Sequence, residues 1–350
     1  MRDVYVVVPD GIDDPVRPSG GNTYDRHLCR ELGSHGWSVH ERAVAGFWGR
    51  PGAASFAALE ETLWQIPDDA VVLLDGLIAS TAPEVLVPQA SRLRLIVLVH
   101  MPLGHRPPDD DARRREGAAL DTATATVTTS AWSRRRLIEL YDLPAHRVRV
   151  AEPGAPAAEP ARGSEAGEAL LCVGAVAFEK GHDILLEALE SIAGLSWHCT
   201  CVGSLDRDPA FVESLRSLDR GLGERVSFPG PRTGADLDRS YASADLLVHA
   251  SRAKTYGLVV TEALARGLPI VAAEVGGLAE ALGEGAAGTR PGLLVAPEDP
   301  VALGDALSAW LGDSELRARL RRTAGERRES LPRWSTTASE VAWVLAEASS

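Results

Sequence analysis

The sequence predicts two α/β domains in tandem, each a doubly wound parallel sheet covered by helices on both faces. Three observations carry that prediction. Short apolar runs alternate with stretches of helical spacing, and the rhythm occurs twice along the 350 residues. The runs are continuous rather than alternating, as strands buried on both faces require. The hydrophobic share is 45% but the aromatic share only 5%, so the apolar content is mostly Ala, Val and Leu, which suits such sheets better than a β-sandwich.

In the first half, Val4–Val8, Val71–Leu74, Leu95–Val99 and Ala125–Thr129 read as strands. Tyr24–Leu32, Ala54–Ile66 and Trp132–Tyr141 read as helices between them. In the second half, strands are expected at Leu170–Val173, His198–Val202, Val226–Phe228, Asp245–His249 and Ile270–Ala273. The intervening helices are expected at Asp183–Ile192, Pro209–Leu218, Val259–Arg266 and Pro300–Leu311. Pro153-Gly154-Ala155-Pro156 and the Ala-, Pro-, Gly- and Glu-rich stretch from Pro160 to Gly167 lack apolar periodicity and read as the junction. The expected division is an N-terminal domain over 1–158, a linker over 159–168 and a C-terminal domain over 169–333. A helical segment over 334–350 would pack back on the first domain.

Charge narrows the function classes. Lys and Arg number 36 against 49 Asp and Glu, a formal net charge of −13. That balance argues against nucleic acid as a partner and against general attraction to anionic lipid. Cys29, Cys172, Cys199 and Cys201 are too few and too irregular for a disulfide framework. Their spacing suggests no metal site, so core thiols in a reducing cytoplasm are expected. No apolar stretch approaches the roughly 20 residues needed to span a bilayer. The first run is short and ends at Pro9-Asp10, as a strand rather than a signal peptide does.

Ligands of open α/β sheets bind beyond the carboxyl ends of the strands. After the first run, Gly20 and Gly21 allow backbone N–H groups to approach an anion or a sugar, or form a tight turn. No G-x-G-x-x-G stands there, which disfavours a nicotinamide or flavin enzyme. Asp75 and His100 each follow a strand. Asp75 can accept from a substrate hydroxyl or orient a loop, and His100 can donate to developing negative charge. Phe47-Trp48-Gly49-Arg50 makes Trp48 a candidate acceptor contact, and Asp75 is another. In the second half, Gly174 ends a strand and leads to Lys180-Gly181, where an ammonium suits a phosphate. Arg252 and Lys254 add local positive charge within an acidic chain. Gly257-Leu258 should open a helix whose free N–H groups favour a pyrophosphate, and Gly276-Gly277 should form a second such cradle. Glu262 lies in an otherwise apolar helix and needs a partner, which two adjacent ribose hydroxyls would supply.

Taken together, these residues resemble family 4 of the retaining, nucleotide-sugar-dependent glycosyltransferases, which have the GT-B fold. Tyr256 to Glu280 is the most specific stretch. The likeness extends through Ser19-Gly20-Gly21, His100, Thr129-Ser130-Ala131-Trp132-Ser133, Val173-Gly174, Lys180-Gly181 and Gly292-Leu293-Leu294-Val295. The resemblance implies two Rossmann-like domains facing each other across a cleft. The first would bind a small hydroxylated acceptor and the second a nucleotide sugar, most simply a UDP-sugar. His100 and Lys254 would stand nearest the reaction. Lys180, Arg252 and the glycines would meet donor phosphate and sugar, and Glu262 the ribose. The nucleotide sugar is a substrate, and neither a separate cofactor nor a metal is implied.

Two departures stand out. The family's Glu-x7-Glu has Lys254 at its first position, and Ala175 stands where Arg often follows Val173-Gly174. Lys254 would replace the missing phosphate-binding charge, recognise an acidic donor sugar, or impair transfer while sparing nucleotide binding. A nucleotide-sugar-binding protein with impaired transfer is therefore one alternative. An epimerase or phosphorylase of the same fold is another.

Overall fold

The computed structural model describes residues 2–105, 109–218, 222–286 and 288–349. Met1 and Ser350, which end the first and last expected segments, lie outside the described residues. The chain divides into two compact units. The first comprises Met1–Asp14, Ser19–Gly154 and Pro332–Ser350, and the second comprises Pro15–Pro18 and Ala155–Leu331.

In the first unit the elements run β1 (Arg2–Pro9), α1 (Gly20–Leu32), β2 (Trp37–Val44), α2 (Ala53–Trp64), β3 (Val71–Asp75), α3 (Gly76–Thr81) and α4 (Pro83–Gln89). They continue with β4 (Arg94–Val99), α5 (Asp110–Thr122), β5 (Ala125–Thr128), α6 (Ala131–Tyr141) and β6 (Val148–Val150). The six strands form one sheet in the order β2-β1-β3-β4-β5-β6, parallel throughout. Every residue of β3 is buried, as its unbroken apolar run requires. One core cluster packs Val7, Leu74 and Val97 against Leu59, Leu63 and Leu120 of the covering helices. Two strands of this unit escaped the sequence reading. β2 lies at the sheet edge, and its half-exposed polar residues interrupt the apolar run. β6 is only 3 residues long.

The second unit repeats the plan with β7 (Ala169–Val173), α7 (His182–Ser191), β8 (His198–Val202), α8 (Pro209–Leu218), β9 (Val226–Gly230), α9 (Gly234–Ala242) and β10 (Leu246–His249). It ends with α10 (Leu258–Leu264), β11 (Ile270–Ala273), α11 (Leu278–Leu282), β12 (Gly292–Val295), α12 (Pro300–Gly312) and α13 (Ser314–Glu329). Its sheet order is β12-β11-β10-β7-β8-β9, again parallel. Two core clusters include Leu170 and Leu171, neighbouring β7 residues whose side chains point to opposite faces.

Both sheets reverse direction in the middle. The chain builds outward from β1 to β2 and then crosses to β3. In the second unit it builds from β7 to β9 and then crosses to β10. These switch points, β1/β3 and β7/β10, are where loops diverge and leave room for a ligand.

Residues 159–168 are not a free spacer but a strap fastened within the second unit. The buried Asp245 carboxylate accepts from Ser164 N, from Ser164 Oγ at 2.7 Å and from Ala169 N at 2.9 Å. Trp310 Nε1 donates to Gly167 O at 2.7 Å. The stretch lacks apolar periodicity because its small residues lie against larger partners and are held by polar bonds. The last helix, α14 (Trp334–Ala348), belongs to the first unit. Thr337 Oγ1 donates to Glu152 O at 2.7 Å, and Trp334 stacks on His27 of α1 with ring centroids 4.4 Å apart. A Cβ on Gly154 would stand 2.2 Å from Trp334 N, so this crossing requires glycine.

Trp310 is fully buried and holds the strap by its indole N–H. Trp310→Ala should destabilise the second unit by about 3–5 kcal/mol. Urea unfolding followed by circular dichroism checks this, and an unchanged midpoint would contradict the assigned role of the strap.

Candidate functional site

In the second unit the loops after β7 and β11 are each forced against the loop after β10 by backbone approach. Gly181, with φ of +67°, lies where a Cβ would stand 2.1 Å from Ala250 O. Gly276, with φ of +55°, lies where a Cβ would stand 1.6 Å from Lys254 O. Arg252 N donates to Glu179 O at 3.0 Å, closing the β7 loop onto the β10 loop. The consequence is that Lys180 and Lys254 meet, their amines within hydrogen-bond reach of each other.

Both lysines are half-buried. Desolvation of its amine end and the charge of Lys180 pull the Lys254 pKa down to about 7, although Glu262 and Cys172 pull the other way. Two ammonium groups side by side at a sheet switch point repel each other, and an anion between them would relieve that repulsion.

Glu262 is half-buried on α10. Its Oε2 accepts from the buried Tyr241 hydroxyl at 2.7 Å, and Arg266 lies over the Tyr241 ring at 4.6 Å. Burial raises the Glu262 pKa, and Tyr241, Arg266 and Lys254 only partly offset that. No described residue bonds Oε1, which leaves it for a ligand hydroxyl. The protein partner that the sequence reading could not name is therefore Tyr241, which is brought to Glu262 from α9.

Several expected contacts have other duties. Arg252 is not held for an anion: it pairs with both oxygens of Asp183 at 2.9 and 2.7 Å, lies 3.3 Å from Glu298 and stacks on Phe178 at 3.9 Å. It clamps loops rather than offering free charge. The N–H of Gly174 donates to Val202 O at 2.9 Å, and that of Gly277 donates to Lys254 O at 3.2 Å. Neither is a free phosphate donor, because backbone approach between loops consumes both. Gly276 provides clearance for Lys254 O, and Gly257, with φ of +127°, caps α10 ahead of Leu258.

In the first unit His100 follows β4 and meets two carboxylates. Its Nε2 is 2.8 Å from Asp25 Oδ1 and 3.6 Å from Asp75 Oδ2. Asp75 also caps α3, where its Oδ1 accepts from Leu77 N at 2.8 Å. Burial alone would lower the His100 pKa. Attraction and hydrogen bonding to Asp25, with Asp75 behind, reverse that and raise it. Burial and the Asp25 charge hold Asp75 above the usual carboxylate range. Gly20 and Gly21 open α1, capped by Ser19 Oγ, which accepts from Asn22 N at 3.1 Å. A Cβ on Gly21 would stand 3.1 Å from His100 Cδ2, so this glycine makes room for the imidazole.

Trp48 is a core side chain and not an acceptor contact. It is 2% exposed and its indole N–H donates to Val44 O at 3.2 Å, while Phe47 beside it points outward. Asp25 was missed altogether. Its one sequence signal is a carboxylate one helical turn after Gly21, which becomes informative only once His100 is known to lie against that turn.

Two groups among the described residues have metal-like spacing, Cys172/His182/Cys201 and Asp25/Asp75/His100. In the first, Cys172 Sγ is 3.8 Å from His182 Nε2. The His182 Nδ1 is buried without a partner to orient the ring, and Lys254 brings positive charge towards Cys172. In the second, Asp25 already takes the His100 Nε2. The first set, with a lysine close by, fits a cation poorly.

The depressed Lys254 pKa carries a stability cost with a defined pH window. The unfolded lysine titrates near its ordinary value of about 10.4, so the cost is full below pH 7 and shrinks as pH rises between the two values. Lys254→Met should therefore raise the melting temperature most at pH 6, with the difference shrinking by pH 9. Thermal unfolding at both pH values checks this, and a pH-independent difference would contradict it.

Residues 167–313 match the family model described as glycosyl transferases group 1. Over 262 residues the chain is 30% identical to the D-inositol 3-phosphate glycosyltransferase of Corynebacterium efficiens, covering 69% of this chain and 61% of that protein. Over 260 residues it is 34% identical to the Salinispora arenicola protein of the same name, covering 66% and 56%. The chain thus spans only part of the length of the curated relatives it matches. Among solved structures, sucrose-phosphate synthase from Thermosynechococcus elongatus superposes with a TM-score of 0.81 at 21% identity, covering 99% of each chain. Anabaena HepE in complex with UDP-glucose superposes with a TM-score of 0.79 at 18% identity, covering 99% of this chain and 100% of that one. Residues 167–313 thus match a glycosyl transferases group 1 domain, and the fold is that of the GT-B glycosyltransferases.

Proposed function

We propose that this chain transfers a sugar, with retention, from a nucleoside diphosphate sugar to a hydroxyl of a small acceptor, and that the donor is a UDP-sugar. The observation that carries this reading is the paired Lys180 and Lys254 amines at the β7/β10 switch point, with Glu262 on the adjoining helix. Paired cations match a diphosphate, and a carboxylate with an open oxygen matches a ribose hydroxyl.

In the proposed reaction the anomeric C–O bond to the diphosphate breaks and the acceptor oxygen bonds to the same carbon on the same face. The acceptor proton passes to the departing phosphate oxygen. Negative charge grows on that phosphate, and Lys180 and Lys254 stabilise it at fixed positions. His100 supports the transferred sugar. A UDP donor accords with the UDP-glucose complex of HepE, and a small polyol acceptor accords with the inositol phosphate named for the relatives. The buried free thiols Cys172, Cys199 and Cys201 accord with a reducing, cytoplasmic setting. No helix among the described residues is long and apolar enough to cross a membrane.

A screen of UDP-, GDP-, ADP- and TDP-sugars by thermal shift, followed by product analysis with polyol acceptors, tests the reading. At about 100 times its dissociation constant the donor should add about 2.7 kcal/mol to stability. Lys180→Met should weaken donor binding about 10- to 100-fold, and Lys254→Glu should lower turnover. Donor affinity should also fall as pH rises above about 7, because Lys254 loses its proton there. No stabilisation by any nucleotide sugar, or higher turnover in Lys254→Glu, would overturn the assignment.

A further inference from the structure

We propose that Asp25 is a positioning residue for this reaction, holding the His100 ring by Nε2 so that Nδ1–H is the donor presented to substrate. The inference rests on the transfer reading above and adds a residue to it.

One face of α1 builds the seat. Gly21, Tyr24 and Asp25 stand at i, i+3 and i+4, the spacing that places side chains together on a helix. Gly21 leaves clearance for the imidazole, whose Cδ2 would stand 3.1 Å from any Cβ there. Tyr24 meets the ring edge-on with centroids 5.2 Å apart. Tyr24 is itself held by its hydroxyl, which donates to Ala151 O at 3.0 Å, and by Trp334 at 5.4 Å. Asp25 supplies the 2.8 Å bond to Nε2.

Asp25 is an expensive residue at this position unless the bond matters. It is 2% exposed, and its second oxygen, Oδ2, is buried without a partner. An amide or apolar side chain would avoid burying that charge. Asp75 cannot take its place, because Oδ1 is committed to the α3 cap and Oδ2 is 3.6 Å from Nε2, beyond a good hydrogen bond.

The titratable groups facing the ring are Asp25 and Tyr24 from α1 and Asp75 from the end of β3. The two carboxylates favour the cationic ring, in which both nitrogens donate. With Nε2 on Asp25, no described residue bonds Nδ1. It is the nitrogen left to meet an oxygen of the transferred sugar.

The test combines imidazole NMR of the full chain with kinetics. In the parent, His100 should titrate above the ordinary histidine range and keep Nε2–H as its neutral tautomer. Asp25→Asn, which keeps the shape, should lower the midpoint by about one unit or more. It should also cut kcat about tenfold or more while the donor KM stays within about threefold. An Nδ1–H tautomer in the parent, an unmoved midpoint in Asp25→Asn, or an unchanged kcat would each overturn the proposal. The parent spectrum decides the tautomer even if the variant does not fold. A parent that transfers no sugar would sink the transferase reading, while the NMR arms would still report whether Asp25 sets the state of His100.

Discussion

Two like charges held side by side are the constraint around which the second unit is arranged. Lys180 and Lys254 meet because the loops after β7 and β11 each lie in backbone contact with the loop after β10, and those contacts are possible only where glycine replaces a side chain. Gly181 against Ala250 O and Gly276 against Lys254 O leave no room for a Cβ. Arg252 locks the same loops by bonds to Asp183 and to the Phe178 carbonyl. The strain of bringing two amines together is thus carried by a rigid frame. The frame accepts it because Lys254 can shed its proton near neutral pH and regain it beside an anion.

The first unit solves the opposite electrostatic problem on the same topology. At its switch point, β1/β3, a histidine stands against two carboxylates instead of a lysine against a lysine. Here the surplus is negative, and His100 is held towards its charged form rather than away from it. Glycine again does the geometric work, with Gly21 clearing the ring as Gly276 clears a carbonyl. One fold plan, repeated, therefore holds one site that calls for an anion and another with a proton donor poised over fixed negative charge.

Much of this was legible in the sequence and some of it was not, for identifiable reasons. The central strands β3 and β7 were legible because burial on both faces demands unbroken apolar runs. The edge strand β2 was not, because a half-exposed strand mixes charge into its run. Residues 159–168 read as a linker because composition reports the absence of periodicity, whereas Asp245, Trp310 and Arg321 hold them from far along the chain. Trp48 read as a candidate acceptor contact, yet its indole fills the core and Phe47 takes the surface.

By itself the sequence determined the class of fold, the places where loops leave the sheets, and the residue types waiting there: His100, Lys180, Lys254 and Glu262. Those follow from local rules, since apolar runs make strands and polar residues after them face the switch point. Only the tertiary structure decided which of the expected contacts are committed elsewhere in the protein. Arg252 is neutralised by Asp183, the N–H groups of Gly174 and Gly277 are spent on carbonyls, and Asp25 reaches His100 across 75 positions of chain. A hydrogen bond or an ion pair depends on distance in space, and sequence separation does not report it.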